Sequence, residues 1–191
     1  MLKGGVTSLS KMAVPGVYTW LYGGGSFPVC LRPSGVFYCQ QYASSAKWEK
    51  IDGGSEISID WKNFGQYHLK HIEAGHFEGS QIGKPANWRK MSYLRPFSAH
   101  ETLMMGTGAG SAWNFEWEKG SFEVEFRCDG FNHFVCNTYP AHSHWAMEDD
   151  KILINWDKYG KKIPLRFTTF DDQSYCYNVR PLFLTNTFVK E

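Results

Sequence analysis

The segment Gly25-Ser26-Phe27-Pro28-Val29-Cys30-Leu31-Arg32 recurs at a constant shift of 95 as Gly120-Ser121-Phe122-Glu123-Val124-Glu125-Phe126-Arg127. Gly35 then meets Gly130, and after a two-residue insertion in the second copy Phe37, Cys39, Tyr42 and Trp48 meet Phe134, Cys136, Tyr139 and Trp145. The register returns to 95 where Ile57-Ser58-Ile59-Asp60-Trp61 pairs with Ile152-Leu153-Ile154-Asn155-Trp156. So many ordered identities indicate two copies of one unit, residues 1–96 and 97–191, with the boundary near Pro96.

Each copy carries β signals. Phe27, Val29 and Leu31, and Phe122, Val124 and Phe126, alternate with residues of the opposite face, the period-two pattern of a strand with one buried side. Ile57, Ile59 and Trp61 repeat the pattern, as do Trp113, Phe115 and Trp117. Turn residues such as Pro33-Ser34-Gly35, Asp129-Gly130 and Asp52-Gly53-Gly54 separate the runs. The expected fold class is all-β: two tandem antiparallel meander barrels or sandwiches of about seven or eight short strands each. Ser98-Ala99-His100-Glu101 reads as a capping box before Thr102-Leu103-Met104-Met105 and a stopping Gly106, which predicts one short helix between the copies. Ser8-Leu9-Ser10-Lys11-Met12-Ala13 holds the equivalent place before the first copy and is expected to form a helical turn. The glycines of Gly106-Thr107-Gly108-Ala109-Gly110-Ser111 leave a helix, enter a strand and lack a Lys, so they read as a flexible linker rather than a phosphate loop.

Composition narrows the function classes. Twenty basic and nineteen acidic side chains leave a formal net charge of +1, without a basic run to hold a phosphate backbone, so nucleic acid is not an expected partner. The tracts Trp88-Arg89-Lys90 and Tyr93-Leu94-Arg95 read instead as an edge strand guarded by charge. No apolar run approaches a membrane span and the first residues lack a secretory block, so a soluble chain is expected. Five cysteines without CxxC spacing fit neither a disulfide framework nor a zinc cassette, which points to the cytoplasm or another reducing compartment.

The Gly-x-Phe turn into an amphipathic strand, the later Trp48 and Trp145, and the Ile-x-Ile-x-Trp strands ending at Trp61 and Trp156 resemble the calycin group of lipocalins, fatty-acid-binding proteins and avidins. The resemblance implies antiparallel barrels. It covers the strand pattern of both copies and transfers no ligand residue. The inward rows hold large side chains, Trp20, Phe37, Trp48 and Trp61 in the first copy and Phe115, Phe134, Trp145 and Trp156 in the second, so interiors filled by their own side chains are expected.

Three candidate sites follow. Trp61 and Trp156, with Trp48 and Trp145, are the candidates for lining a mouth or seam that takes a small apolar or aromatic ligand. Arg32 and Arg127, matched at the end of one strand, are candidates for an anion contact or for bridging turn carbonyls and stacking on a ring. His142 and His144, alternate along an extended chain, with His133 nine residues before His142, form a metal or acid–base candidate. The first copy has Ser45 and Lys47 at the matching positions, so the fold does not require these histidines. No nucleophile elbow or facing carboxylate pair appears, and no cofactor is expected. The leading expectation is a non-catalytic tandem module that binds a protein partner, or a second copy of itself, or serves as a structural subunit, through surface aromatics such as Tyr18, Tyr38, Tyr67, Tyr93 and Tyr177. The alternatives are a carrier of a small apolar or aromatic ligand and a metal-assisted enzyme centred on His133, His142 and His144.

Overall fold

Alternating side chains become strands where one face can leave water. The computed structural model describes residues 13–117, 119–148, 151–167 and 178–181, and these are all-β with one α-helix and two single turns of 3-10 helix. Chain contacts divide it into two compact units, Met1–Phe97 and Ser98–Glu191.

Unit 1 contains β1 (Gly16–Tyr22), β2 (Gly25–Leu31), β3 (Phe37–Tyr38), β4 (Lys47–Ile51), β5 (Glu56–Asp60), β6 (Gln66–Glu73), β7 (His76–Gln81) and β8 (Lys84–Arg95). They form one antiparallel eight-stranded sheet in the order β3-β2-β1-β8-β7-β6-β5-β4. Its two edges nearly close into a barrel, because Val36 bridges Lys47 while the Phe37 amide donates to the Ala46 carbonyl at 3.1 Å and the Trp48 amide to the Gly35 carbonyl at 2.8 Å. Closure removes the unpaired edge that an open sheet exposes. The tract Trp88-Arg89-Lys90 therefore lies on a strand flanked on both sides by β1 and β7, not on an edge, and Lys90 pairs with Glu78 of β7 at 2.7 Å.

The inward row of unit 1 is aliphatic and aromatic. Val29, Leu31, Ile57, Ile59, Leu69, Phe77 and Met91 are buried, each contributing about 1.5–3 kcal/mol against the exposed chain. Gly79 on β7 is held by packing: a Cβ there would lie 1.9 Å from the His68 carbonyl oxygen of β6. Two of the tyrosines expected on the surface are inside. Tyr18 is 1% and Tyr67 3% exposed, because β1 and β6 turn these positions toward the core, where Tyr18 meets Phe77 and Tyr93 edge to face and Tyr67 meets Trp20. Tyr38 and Tyr93 are half-buried, and Tyr177 lies outside the described residues.

Unit 2 contains α1 (Ala99–Met105), β9 (Gly110–Trp117), β10 (Gly120–Arg127), β11 (Phe134–Val135), β12 (Ser143–Glu148), β13 (Lys151–Trp156), β14 (Gly160–Phe167) and β15 (Asn178–Pro181). The strand order is β11-β10-β9-β15-β14-β13-β12. Its edges meet where His133 bridges His144 and the Trp145 amide donates to the Asn132 carbonyl at 2.9 Å. The pairing of β14 with β15 is parallel, a departure from the expected meander, and residues 168–177 that join these strands lie outside the described residues.

The capping box forms as the sequence predicts. Ser98 Oγ accepts from the Glu101 amide at 3.1 Å, and Glu101 Oε2 accepts from the Ser98 amide at 2.7 Å. Met104 and Met105 bury the helix, which packs on β9, and Ser111 Oγ donates to the Met104 carbonyl. The glycine run is a hydrogen-bonded turn inside unit 2 rather than a linker. Gly106 has φ 53°, a Cβ there would lie 2.4 Å from the Gly110 carbonyl oxygen, and the Cys128 amide donates to the Ala109 carbonyl. Residues 8–12 of the expected N-terminal helical turn lie outside the described residues, and Ala13 is fully buried with its amide on the Gly54 carbonyl.

Candidate functional site

Where the hairpins β1–β2 and β5–β6 turn, the row of large rings in unit 1 stops short of filling the sheet. A cavity of about 160 Å³ opens there, lined by Trp20, Tyr22, Phe27, Tyr42, Trp61, Phe64, Tyr67 and Arg89. Trp61 is its centre, with Trp20, Phe37 and Phe64 ring centroids at 5.5, 4.8 and 5.4 Å. The indole is fixed because Nε1 donates to the Tyr42 carbonyl at 3.2 Å. At the rim, the Arg89 guanidinium lies 5.2 Å from the Tyr67 ring centre and 5.9 Å from that of Tyr22. It donates to the Trp88 carbonyl at 2.7 Å and the Tyr67 hydroxyl at 3.4 Å, which uses two of its five N–H groups. Such a lining offers ring faces to a planar ligand and one guanidinium to an anionic substituent. Arg89 is the residue sequence reading passed over as a ligand contact: it was seen as part of a charged tract, and only the β6–β7–β8 register brings it beside the rings.

Trp48, Trp145 and Trp156 are each tied through the indole N–H to a main-chain carbonyl. Trp48 Nε1 donates to the Arg32 carbonyl at 2.8 Å, and Trp145 Nε1 to the Arg127 carbonyl at 2.9 Å. Trp156 Nε1 donates to the Tyr139 carbonyl at 3.2 Å, as Trp61 does to Tyr42. Around Trp156 the rings of Phe115, Phe122, Phe134, Tyr139 and Tyr159 approach within 6.3 Å, and Phe115 stacks on Phe122 at 4.9 Å. The matched arginines diverge. Arg32 is 4% exposed with its guanidinium 4.4 Å over the Tyr38 ring, whereas Arg127 is exposed and paired with Glu125 at 3.0 Å. Arg32 thus takes the ring-stacking role, and neither borders the aromatic cavity.

The third candidate assembles in unit 2. His133 lies opposite His144 in the bridge that closes the sheet, and His142 sits two residues before His144, so pairing and alternation put three imidazoles on one face. Ring centroids are 5.0 Å apart for His133–His144, 4.6 Å for His142–His144 and 6.3 Å for His133–His142. One ring nitrogen from each lies within 4.8 Å of the others. His133 Nδ1 is 2.5 Å from Asp129 Oδ2, His144 Nδ1 is 3.0 Å from the Phe131 carbonyl oxygen, and His142 Nδ1 is 3.6 Å from Asp157 Oδ2. Asp129 is itself tied, Oδ1 accepting from the Phe131 and His133 amides at 3.0 and 3.3 Å. Burial pushes its carboxyl up, but the hydrogen bonds from the His133 side chain and these two amides outweigh that and hold it below the usual carboxylate range. Sequence reading identified the three histidines and missed Asp129 and Asp157, whose signal is their place in the loops facing the cluster.

The cysteines carry no comparable chemistry. Cys30, Cys39, Cys128 and Cys136 are not joined in disulfides, and Cys176 lies outside the described residues. Burial pushes the Cys136 thiol up despite backbone bonds from Tyr139 and Thr138, the reverse of what a nucleophile beside His133 requires. Among the described residues no helix is long and apolar enough to cross a membrane. Against known proteins, no family model, no curated protein and no solved structure matches the chain.

Proposed function

We propose that the chain is a duplicated, calycin-like binding protein whose first unit carries a small planar aromatic ligand, anionic at one edge, in the mouth around Trp61. The observation that carries this reading is the ring-lined cavity of about 160 Å³ with Arg89 at its rim. Drug-sized ligands occupy pockets of about 300–1,000 Å³, so this space suits one or two fused rings rather than a fatty acid or a tetrapyrrole. The duplication draws support from the matched indole bonds, Trp48 to Arg32 and Trp145 to Arg127, Trp61 to Tyr42 and Trp156 to Tyr139. The calycin relation draws support from the nearly closed antiparallel sheet. Ligand carriage is favoured over a partner-binding surface because Tyr18 and Tyr67, two of the rings that such a surface would use, are buried.

Fluorescence titration with indole and indole-3-acetate, a neutral and an anionic probe, tests the reading. Saturable quenching at one equivalent is expected for both, and R89M is expected to weaken indole-3-acetate by about tenfold while leaving indole unchanged, the size of one lost charged hydrogen bond. Flat titrations with both probes would remove the proposal.

A further inference from the structure

We infer that His133, His142 and His144 form a binding site for a zinc-class divalent cation on unit 2, with Asp129, Asp157 and the Phe131 carbonyl as the groups that orient the ligands. The inference rests on the geometry of unit 2 alone and is independent of the aromatic mouth in unit 1.

Three features separate this cluster from histidines gathered by chance. The first is how the ligands are placed. His133 and His144 face each other across the hydrogen-bonded closure of the sheet, and the Arg127 amide donates to the His133 carbonyl at 2.9 Å while the Asp157 amide reaches the His142 carbonyl at 3.4 Å. Backbone pairing therefore fixes three Cα positions before any metal arrives, which lowers the ordering cost of binding.

The second is tautomer control. Each Nδ1 faces an oxygen: a carboxylate for His133 and His142, a main-chain carbonyl for His144. The Asp129 and Phe131 oxygens accept hydrogen bonds from His133 and His144, so in those two rings, when neutral, the proton sits on Nδ1 and the lone pair on Nε2; Asp157, 3.6 Å from His142, acts on that ring by its charge. Metal-ligating histidines hold their second nitrogen in this way. Imidazole suits zinc, copper and nickel better than magnesium or calcium, and Asp129 and Asp157 behind the rings offset the charge of a dication. Zinc–nitrogen bonds of about 2.0–2.1 Å at tetrahedral angles set ligand atoms about 3.3 Å apart. One nitrogen of each ring already lies within 4.8 Å of the others, so binding a metal draws the three rings closer together.

The third is the comparison inside the chain. In unit 1 the same closure is made by Val36 and Lys47, with Ser45 two residues before Lys47. The framework closes there without a single imidazole, so the three histidines are not explained by folding. His142 is exposed, which leaves the fourth position of a three-nitrogen site open to water or an anion.

Titration of the full, chelator-stripped chain with cobalt(II), followed by competition with zinc(II), tests the assignment. One equivalent of cobalt is expected to produce visible ligand-field bands, which zinc abolishes and azide shifts. H133V/H142S/H144K, which transfers the residues of unit 1, is expected to lose at least a hundredfold in affinity with an unchanged circular dichroism spectrum. H142S alters only the exposed ligand and decides the matter should the triple variant not fold. D129N, a change at a positioning residue, should keep the stoichiometry and weaken binding about 10–100-fold. A cobalt signal of the same stoichiometry and affinity in H142S, or none in the unaltered chain, overturns the site; bands insensitive to azide overturn the open fourth position.

Discussion

Tyr18 shows what a single side chain contributes to unit 1. Its hydroxyl donates to the Val14 carbonyl at 2.7 Å and accepts from the Val14 amide at 3.2 Å, pinning the segment that leads into β1. Burial pushes its phenol up to about 12, against the pull of the Val14 bond and with a smaller upward push from Tyr93. Between pH 10 and about 12 the unfolded chain ionises this group while the folded chain keeps it protonated. The stability it confers is complete below pH 10 and is lost as pH rises through about 12. Y18F is expected to cost about 1 kcal/mol at neutral pH, from the lost hydroxyl bonds, and to remove the last step of the tyrosine titration seen by ultraviolet absorbance. None of this was legible in the sequence, where Tyr18 read as a surface ring. Alternation says which residues share a face, and the burial of Tyr18 follows from where β1 sits, between β2 and β8. Trp61 was legible as an inward residue because it continues the alternation of Ile57 and Ile59, and all three are buried.

At the level of elements, local chemistry was the most readable. The helix begins at its capping box and ends at Gly106 because two side-chain bonds and one left-handed glycine settle the matter within a few residues. S98A is expected to destabilise unit 2 by about 1 kcal/mol, measured as a shift in its urea midpoint without a change in slope. Longer-range pairing was less readable. Sequence alignment placed Gly35 against Gly130, yet the residue that occupies the place of Gly35 is Asn132. Gly35 has φ 80° and Asn132 φ 54°, and their carbonyls accept from Trp48 and Trp145 respectively. Asn and Gly both tolerate the left-handed conformation, so identity of residue type misled where backbone requirement would not.

For the molecule as a whole, the pairings that build unit 1 run from Gly16 to Arg95, and its core is drawn from residues between Ala13 and Tyr93. A fragment of residues 1–97 is therefore expected to fold by itself, giving a structured near-ultraviolet dichroism spectrum and one cooperative urea transition. A fragment with the spectrum of an unfolded chain would refute this. The matched segments of the sequence pointed to two halves but not to the differences between the units, because these depend on a few loop residues. The connection from Arg127 to His133 is two residues longer than that from Arg32 to Val36, although both ends make the same main-chain bond. Asp129, which holds the His133 ring, lies in that longer connection, where the first copy has Ser34 at the matching position. Doubling a loop costs only about 0.6 kcal/mol in closure entropy, so a rim connection lengthened by two residues can carry a carboxylate against a neighbouring imidazole with little loss of stability.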